Sequence, residues 1–341
     1  MQSEVPYPNE RIFHEIHKAS KHSKCLHPLA SRENCSGKII DAHTIQRSAS
    51  LAALVDETKH VRTFYPFEPM TSRADYPIRI GWHEASTFTG FCRKHDDEVF
   101  APLEKFPYTG TIEQDFLLGY RALCHELHQK ESVSQTSSIL EAMLSRGVPV
   151  EVQQRIHRDL ENSSAGTSHG LQNYERLKKL MDEQILSGNY EGWTRASIAF
   201  TGDLCMASTG VITPNRTITG EALQTLHDPN AEIEPLLISL VATQEGGVIS
   251  MLWRSDHSAP DLFVRSLLAA TENLPGFAVQ TLFAYIENTF FSKQWWDSFP
   301  PEHQEHIRSI ALMPNAYYTD FNYSDSIRMP WEISEVTEPR I

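Results

Sequence analysis

The chain has 341 residues, of which 40% are hydrophobic and 22% charged, and a formal net charge of −14. That composition excludes a mostly disordered or fibrous chain, and the length suits about two domains of roughly 150 residues. The acidic balance argues against a general polyanion binder, and no run of about 18 apolar residues offers a membrane span. The N-terminus, MQSEVPYPNERIF, places two acids before its first Arg and has no apolar segment. It does not read as a secretory signal, so the protein is expected to be cytoplasmic, with no membrane partner.

Taken in chain order, residues 7–24 read as a short helix with Ile12, Phe13 and Ile16 on one side. A Cys/His-rich stretch follows as far as His43, with a Ser-Gly turn at 36–37 before a short strand that begins at Lys38-Ile39-Ile40. Leu51, Leu54 and Val55 have helical spacing, and the Pro-rich residues 65–80 read as an irregular loop. The segment 87–100 is expected to start a helix, and 112–129 to be one. The pattern weakens over 145–170, where ENSSAGTSHG reads as linker or surface loop. Helix resumes at Leu171, with Tyr174, Leu177, Met181 and Ile185 on the same apolar stripe, a core-packing pattern. From Arg195 the runs RASIAF, LCMASTGVI, PLLISLVA and GVISMLWR read as strands, with a hairpin turn at Glu245-Gly246-Gly247 between the last two. Helices are expected at 261–270 and 277–292. The fold class expected is α+β in three parts. A small treble-clef-like zinc module occupies 1–105, a helical region 106–190, and mixed antiparallel strands plus helices 191–341.

Charge and cysteine are both unevenly distributed. Residues 1–65 hold nine Lys/Arg, seven Asp/Glu and six of the 16 histidines, a balance of +2, which leaves −16 for the rest. Any contact with nucleic acid is therefore expected through residues 1–65, where phosphates meet the least repulsion. Five cysteines, an odd number, argue against a disulfide framework. Cys124 and Cys205 sit in apolar stretches and read as buried small hydrophobes, whereas Cys25, Cys35 and Cys92 lie beside histidines.

The spacing Cys25-x9-Cys35 followed by Cys92-x2-His95 is the strongest chemical signal. Zinc takes soft or borderline ligands in a tetrahedron, and a two-residue gap puts two of them on one knuckle or helix start. The longer gap between Cys25 and Cys35 requires LHPLASREN to loop out, which Pro28 and Asn34 permit; His27 is an alternative to Cys25. Four ligands in two separated pairs make a closed, structural Zn2+ site. Weaker candidates are His125 and His128 in CHELH, which lack metalloprotease spacing, and Glu287-Asn288, which read as a solvated helix face. Phe290, Phe291, Trp295 and Trp296 read as core rather than a base-stacking platform.

The stretch IIDAHTIQRS, with His43 at the end of a short strand, resembles the general-base position of HNH endonucleases. The order of elements over roughly residues 20–100 is similar to zinc-stabilised members of that family, with one Cys pair before the histidine and GFCRKHD after it. The resemblance implies a treble clef, a catalytic His43, and a divalent ion, Mg2+ or Mn2+, at the scissile phosphate of DNA or RNA, with Lys38 and Arg47 countering phosphate charge. Two departures stand out. No Asn occurs in 44–91, and the residue next to His43 is Ala42, with Asp41 one place further away. Alternate strand residues share a face, so Asp41 and His43 would still converge on one ion; His60 is the candidate for the remaining ligand, ahead of His83. His43 has two other readings, as a partner of the zinc site or as a buried structural histidine.

The whole chain also resembles a group of uncharacterised bacterial zinc-binding proteins that share C-x9-C, AHTI (42–45), ASTFTGFCRKHD (85–96) and ENTFFSKQWW (287–296). That resemblance implies one unit linking the two ends of the chain. The functional expectation is a metal-dependent nuclease. The alternative is a non-catalytic zinc module binding nucleic acid or a protein partner, with the partner held through the C-terminal domain in a regulatory or defence role.

Overall fold

The computed structural model describes residues 23–64, 77–145, 149–226, 228, 231–312 and 322–340; the expected helix over 7–24 lies almost wholly outside them. Ten strands and eight α-helices are described. The strands are β1 (Ile39–His43), β2 (His60–Thr63), β3 (Ile78–Gly81), β4 (Thr87–Cys92), β5 (Trp193–Thr201), β6 (Met206–Ile212), β7 (Leu236–Ala242), β8 (Gly246–Arg254), β9 (Thr289–Phe291) and β10 (Glu332–Arg340). The helices are α1 (Arg93–Val99), α2 (Ala101–Glu104), α3 (Ile112–Leu144), α4 (Val150–Ser187), α5 (Ser258–Leu268), α6 (Leu274–Tyr285), α7 (Lys293–Asp297) and α8 (Pro301–Ala311). The α+β expectation holds, with every described strand pairing antiparallel.

The four β-prone runs after residue 190 become β5 to β8, the centre of an eight-stranded sheet ordered β10-β5-β8-β7-β6-β9-β2-β3. Both faces of this sheet are covered. Along β7, Leu236, Ile238 and Leu240 join the core on the α5–α6 side, while Leu237 and Val241 join the core against α3. A strand covered on both faces reads as a continuous apolar run rather than an alternation. The α3 side is fastened by a buried carboxylate. Asp115 accepts from Tyr108 Oη at 2.5 Å and Ser250 Oγ at 2.7 Å, and pairs with Arg195 Nη1 at 3.0 Å.

β1 and β4 form a separate two-stranded ribbon, with Ile39 opposite Cys92 and His43 opposite Thr87. Its buried residues Ala42, Phe88 and Phe91 join Phe100 and the α3 side chains Phe116, Leu117 and Leu123. On β4, a Cβ added at Gly90 would meet the Phe88 ring at 2.1 Å. The missing side chain is what lets Phe88 lie flat along its own strand, in edge contact with His125 and His128.

Four expectations need correction. Residues 150–187 form one helix, so ENSSAGTSHG is not a loop: its weak formers cost only fractions of a kcal/mol each, about 1 for glycine, and the strong flanking turns carry helix through them. Thr87–Cys92 is a strand, and the helix begins only at Arg93, because Thr and Phe alternate along the ribbon face. The helix expected to reach 292 stops at Tyr285, and Thr289–Phe291 pairs with β6 and β2. Part of the expected 65–80 loop, Ile78–Gly81, is strand; residues 65–76 lie outside the described ones. The apolar stripe on α4 holds: Tyr174, Leu177 and Met181 are buried against α3. Phe290, Phe291, Trp295 and Trp296 are all buried in the core on the other face, as read from the sequence.

Candidate metal centre

Cys25 is set beside β4 by strand-like bonds from Lys24 N to Thr89 O at 3.3 Å and Leu26 N to Gly90 O at 2.8 Å. The segment up to Cys35 closes on itself. Asn34 donates from its backbone N to Ser31 Oγ at 3.1 Å and from Nδ2 to Leu29 O at 3.1 Å, its carbonyl accepts from Lys94 Nζ at 3.2 Å, and Cys35 N donates to Ser31 O at 3.0 Å. Gly37 then turns the chain with φ +91°, a conformation that only glycine adopts without strain, and β1 starts two residues later. Cys92 ends β4 and His95 lies in the first turn of α1, three residues on, so the strand-to-helix junction presents both to the same point.

These four side chains come together. The sulphurs of Cys25, Cys35 and Cys92 lie 3.3, 3.7 and 3.4 Å from His95 Nδ1, and all four ligating atoms are within 4.8 Å of one another. Zinc–sulphur bonds of about 2.3 Å and zinc–nitrogen bonds of about 2.0 Å set a tetrahedral S···N edge of about 3.6 Å, which these separations match. The donor set therefore fits a metal such as zinc through Nδ1 of His95. Cys92 and His95 are buried, Cys25 and Cys35 half-buried. Burial pushes the Cys25 thiol up to about 11, against hydrogen bonds from the Cys92 and His27 backbone. Burial also opposes ionisation of Cys92, but the backbone N–H groups of His95 and Ser36 outweigh it and bring that thiol to about 7. A bound divalent cation would hold all three as thiolates.

His27 is not in the quartet. Its ring stacks on His95 with centroids 3.9 Å apart, and burial followed by the His95 charge lowers it to about 4. Its Nδ1 accepts from Leu29 N at 3.2 Å, so it braces the ligand loop instead of completing the tetrahedron. With four protein donors there is no open coordination position, the arrangement of a structural site.

Asp41, His43 and His60 lie elsewhere. Asp41 is exposed on β1, and a register shift separates Ile40 from Ala42 in the pairing with β4. His60 belongs to the β2–β3 pair of the large sheet. Its Nδ1 is 2.7 Å from the Thr58 carbonyl and 3.2 Å from an Arg79 nitrogen. Among the described residues, Cys25, Cys35, Cys92 and His95 make the only group of three or more His, Cys, Asp or Glu ligands within such reach.

His43, at the far end of β1, is half-buried, and its Nε2 is enclosed without a hydrogen-bond partner. Burial lowers its pKa, followed by the charge of Arg47, while a bond from the ring to the Trp82 carbonyl works the other way. The chain just beyond His43 is pinned by Ser86, a non-glycine residue at φ +59°. Its carbonyl accepts from Thr44 N at 2.7 Å and its Oγ from Ile45 N at 3.0 Å, bonds that hold it in a conformation costing about 1 kcal/mol or more.

Sequence reasoning missed a buried ionic brace between α3 and the two short helices α1 and α2. Arg121, 2% exposed, donates from Nη1 to Glu104 at 2.6 Å, faces Asp96 at 3.5 Å, and lies with its guanidinium carbon 4.0 Å from the centre of the Phe100 ring. Burial raises the Asp96 pKa against the opposing charge of Arg121. Asp96 follows the ligand His95, so the brace holds the ligand helix against α3. Only the HD pair in GFCRKHD hinted at it.

No described helix is long and apolar enough to cross a membrane. Compared with protein-family models, curated proteins and solved structures, the chain matches none.

Proposed function

We propose that this chain is a zinc-stabilised, HNH-like nuclease, in which the Cys3His centre holds the ribbon and α1 in treble-clef-like form and His43 is the general base. One observation supports this reading: His43 ends the ribbon strand with Nε2 enclosed and without a hydrogen-bond partner, and burial, followed by the charge of Arg47, lowers its pKa and favours the neutral ring. A neutral imidazole with an unengaged ring nitrogen is what a general base requires. In this reading Nε2 takes the proton of the attacking water. Zinc supplies only the fixed geometry. Mg2+ or Mn2+ would supply charge for the developing phosphorane, but Asp41 and His60, on different sheets, are not gathered around one point and do not make its site as they stand.

The second reading, a non-catalytic zinc module that binds nucleic acid or a protein partner, is favoured by the separation of Asp41, His43 and His60. A plasmid-nicking assay with Mg2+ or Mn2+ distinguishes the two. His43→Ala is expected to lower cleavage by about 10²–10⁴-fold with zinc content unchanged. Equal cleavage by wild type and variant would remove His43 from the chemistry, and no metal-stimulated cleavage by wild type would leave the second reading.

A further inference from the structure

The residues next to His43 carry cations that form no ion pair among the described residues. Arg47, exposed on the helical turn after AHTI, lies with its guanidinium 5.7 Å from the centre of the Trp82 ring and 3.2 Å from His83 Nδ1. Trp82 N donates to the Lys59 carbonyl at 3.1 Å, which joins this cluster to the start of β2. On β2 and β3, Arg62 stands directly opposite Arg79, and His60 is two residues along on the same face. Like charges placed opposite each other across two strands repel.

Among the described residues, none of Arg47, Lys59, Arg62 and Arg79 forms an ion pair, although Lys24, Arg121, Lys178, Arg195, Arg254, Arg265, Lys293 and Arg308 all do. Asp56, the nearby acid, accepts from the Thr58 hydroxyl and from the backbone N–H groups of Thr58 at 2.9 Å and His60 at 3.1 Å, and offsets part of the Arg79 charge without forming an ion pair with it. Glu57 and Glu84 are exposed in the same stretch without pairing to any of the four. In a chain of net charge −14 this is a place where positive charge is concentrated without an ion pair among the described residues. Two imidazoles and a half-buried indole lie among the cations.

We propose that the face made by Arg47, Lys59, Arg62 and Arg79, with Trp82 and His83, is a docking surface for the phosphate backbone of a nucleic acid. It rests on the nucleic-acid reading above and gives it a location. Phosphates would relieve the Arg62–Arg79 opposition, and the track from Arg79 to Arg47 leads to the ribbon end that bears His43. The aromatic and imidazole groups suit stacking of unpaired bases, so single strands are expected to bind better than duplex.

The test uses full-length, zinc-loaded protein and a fluorescein-labelled oligonucleotide, single-stranded and duplex, followed by fluorescence anisotropy across a salt series. The triple variant Arg47→Gln, Lys59→Gln, Arg79→Gln is expected to bind more than about tenfold more weakly, with a log K against log salt slope smaller by about two to three. Arg265→Gln, on α5, serves as a control and should bind as wild type. His43→Ala should also bind as wild type. Undiminished binding and an unchanged slope in the triple variant would overturn the surface while leaving any His43-dependent cleavage intact. Cleavage that is indifferent to His43→Ala, with binding still lost in the triple variant, would reject the nuclease and keep the surface. Failure of wild type to bind either oligonucleotide, or loss in the triple variant only of binding to a poly-glutamate probe, would also overturn it.

Discussion

Chelator-treated protein is expected to lose the order of residues 23–43 and 87–99 while the eight-stranded sheet remains folded. The quartet joins the 25–35 loop, the end of β4 and the first turn of α1 at a single point. Without a cation, two half-buried thiols, one buried thiol and a buried imidazole face one another with no strong attraction among them. Structural zinc sites supply apparent binding free energies of roughly 10 kcal/mol or more at neutral pH, much of it folding free energy. Cys35→Ser and Cys92→Ser are each expected to reduce zinc from one ion per chain to near none. Limited proteolysis should then cut first within the loop between Cys25 and Cys35. Zinc retained at full stoichiometry by both variants would exclude the quartet as the site. The predicted loss is local because the other face of the sheet has its own apolar core, including Ile238, Ile249 and Phe263, to which residues 23–43 and 87–99 contribute nothing.

Arg121→Ala is expected to destabilise the protein by about 3–5 kcal/mol in urea or thermal unfolding. Removing one member of a buried ionic cluster leaves its partners desolvated and unpaired. Here those partners are Glu104, whose side chain is 36% exposed and pays less, and Asp96, at 14%, which bears most of the cost. The truncation also removes the guanidinium stacked on Phe100. Arg121→Met should recover part of the loss, because the apolar stem refills the space beside Phe100 even though the carboxylates stay unpaired. A change below about 1 kcal/mol for Arg121→Ala would mean that water already solvates the cluster. Since Asp96 is adjacent to His95, the alanine variant is also expected to bind zinc more weakly, which a competition titration with a chromophoric chelator reads directly.

The metal centre was legible because its chemistry is rare and its spacing local. Cys92-x2-His95 needs only a strand-to-helix junction to converge, and Cys25 and Cys35 need only a loop that closes on itself. The four central strands were legible for a similar reason, since long β-branched runs have few other uses. What misled was context. TFTGFC lies just before a helix and has no charge to mark a boundary, so strand and helix were run together. ENTFF follows a helix and reads as its continuation, yet its three-residue strand is fixed by partners at 62–63 and 206–208, far away in sequence. Arg121, Asp96 and Glu104 carry no local signal of their own, because their pairing exists only after three helices have packed. The same holds for the cationic face: Arg79, Trp82 and His83 lie beyond the N-terminal stretch whose charge balance was noticed, and only the β2–β3 pairing brings them to Lys59 and His60.

The excursion between β1 and β4 has a practical consequence. Those 43 residues, 44–86, leave the ribbon, lend two strands to the far margin of the large sheet, and come back. A fragment cut after the ligand helix would keep all four zinc donors but strand Val61 and Phe64 in water, while the remainder would be left with β9 as a raw border. Neither half is then expected to stay monomeric at working concentrations, so the intact polypeptide is the unit to express.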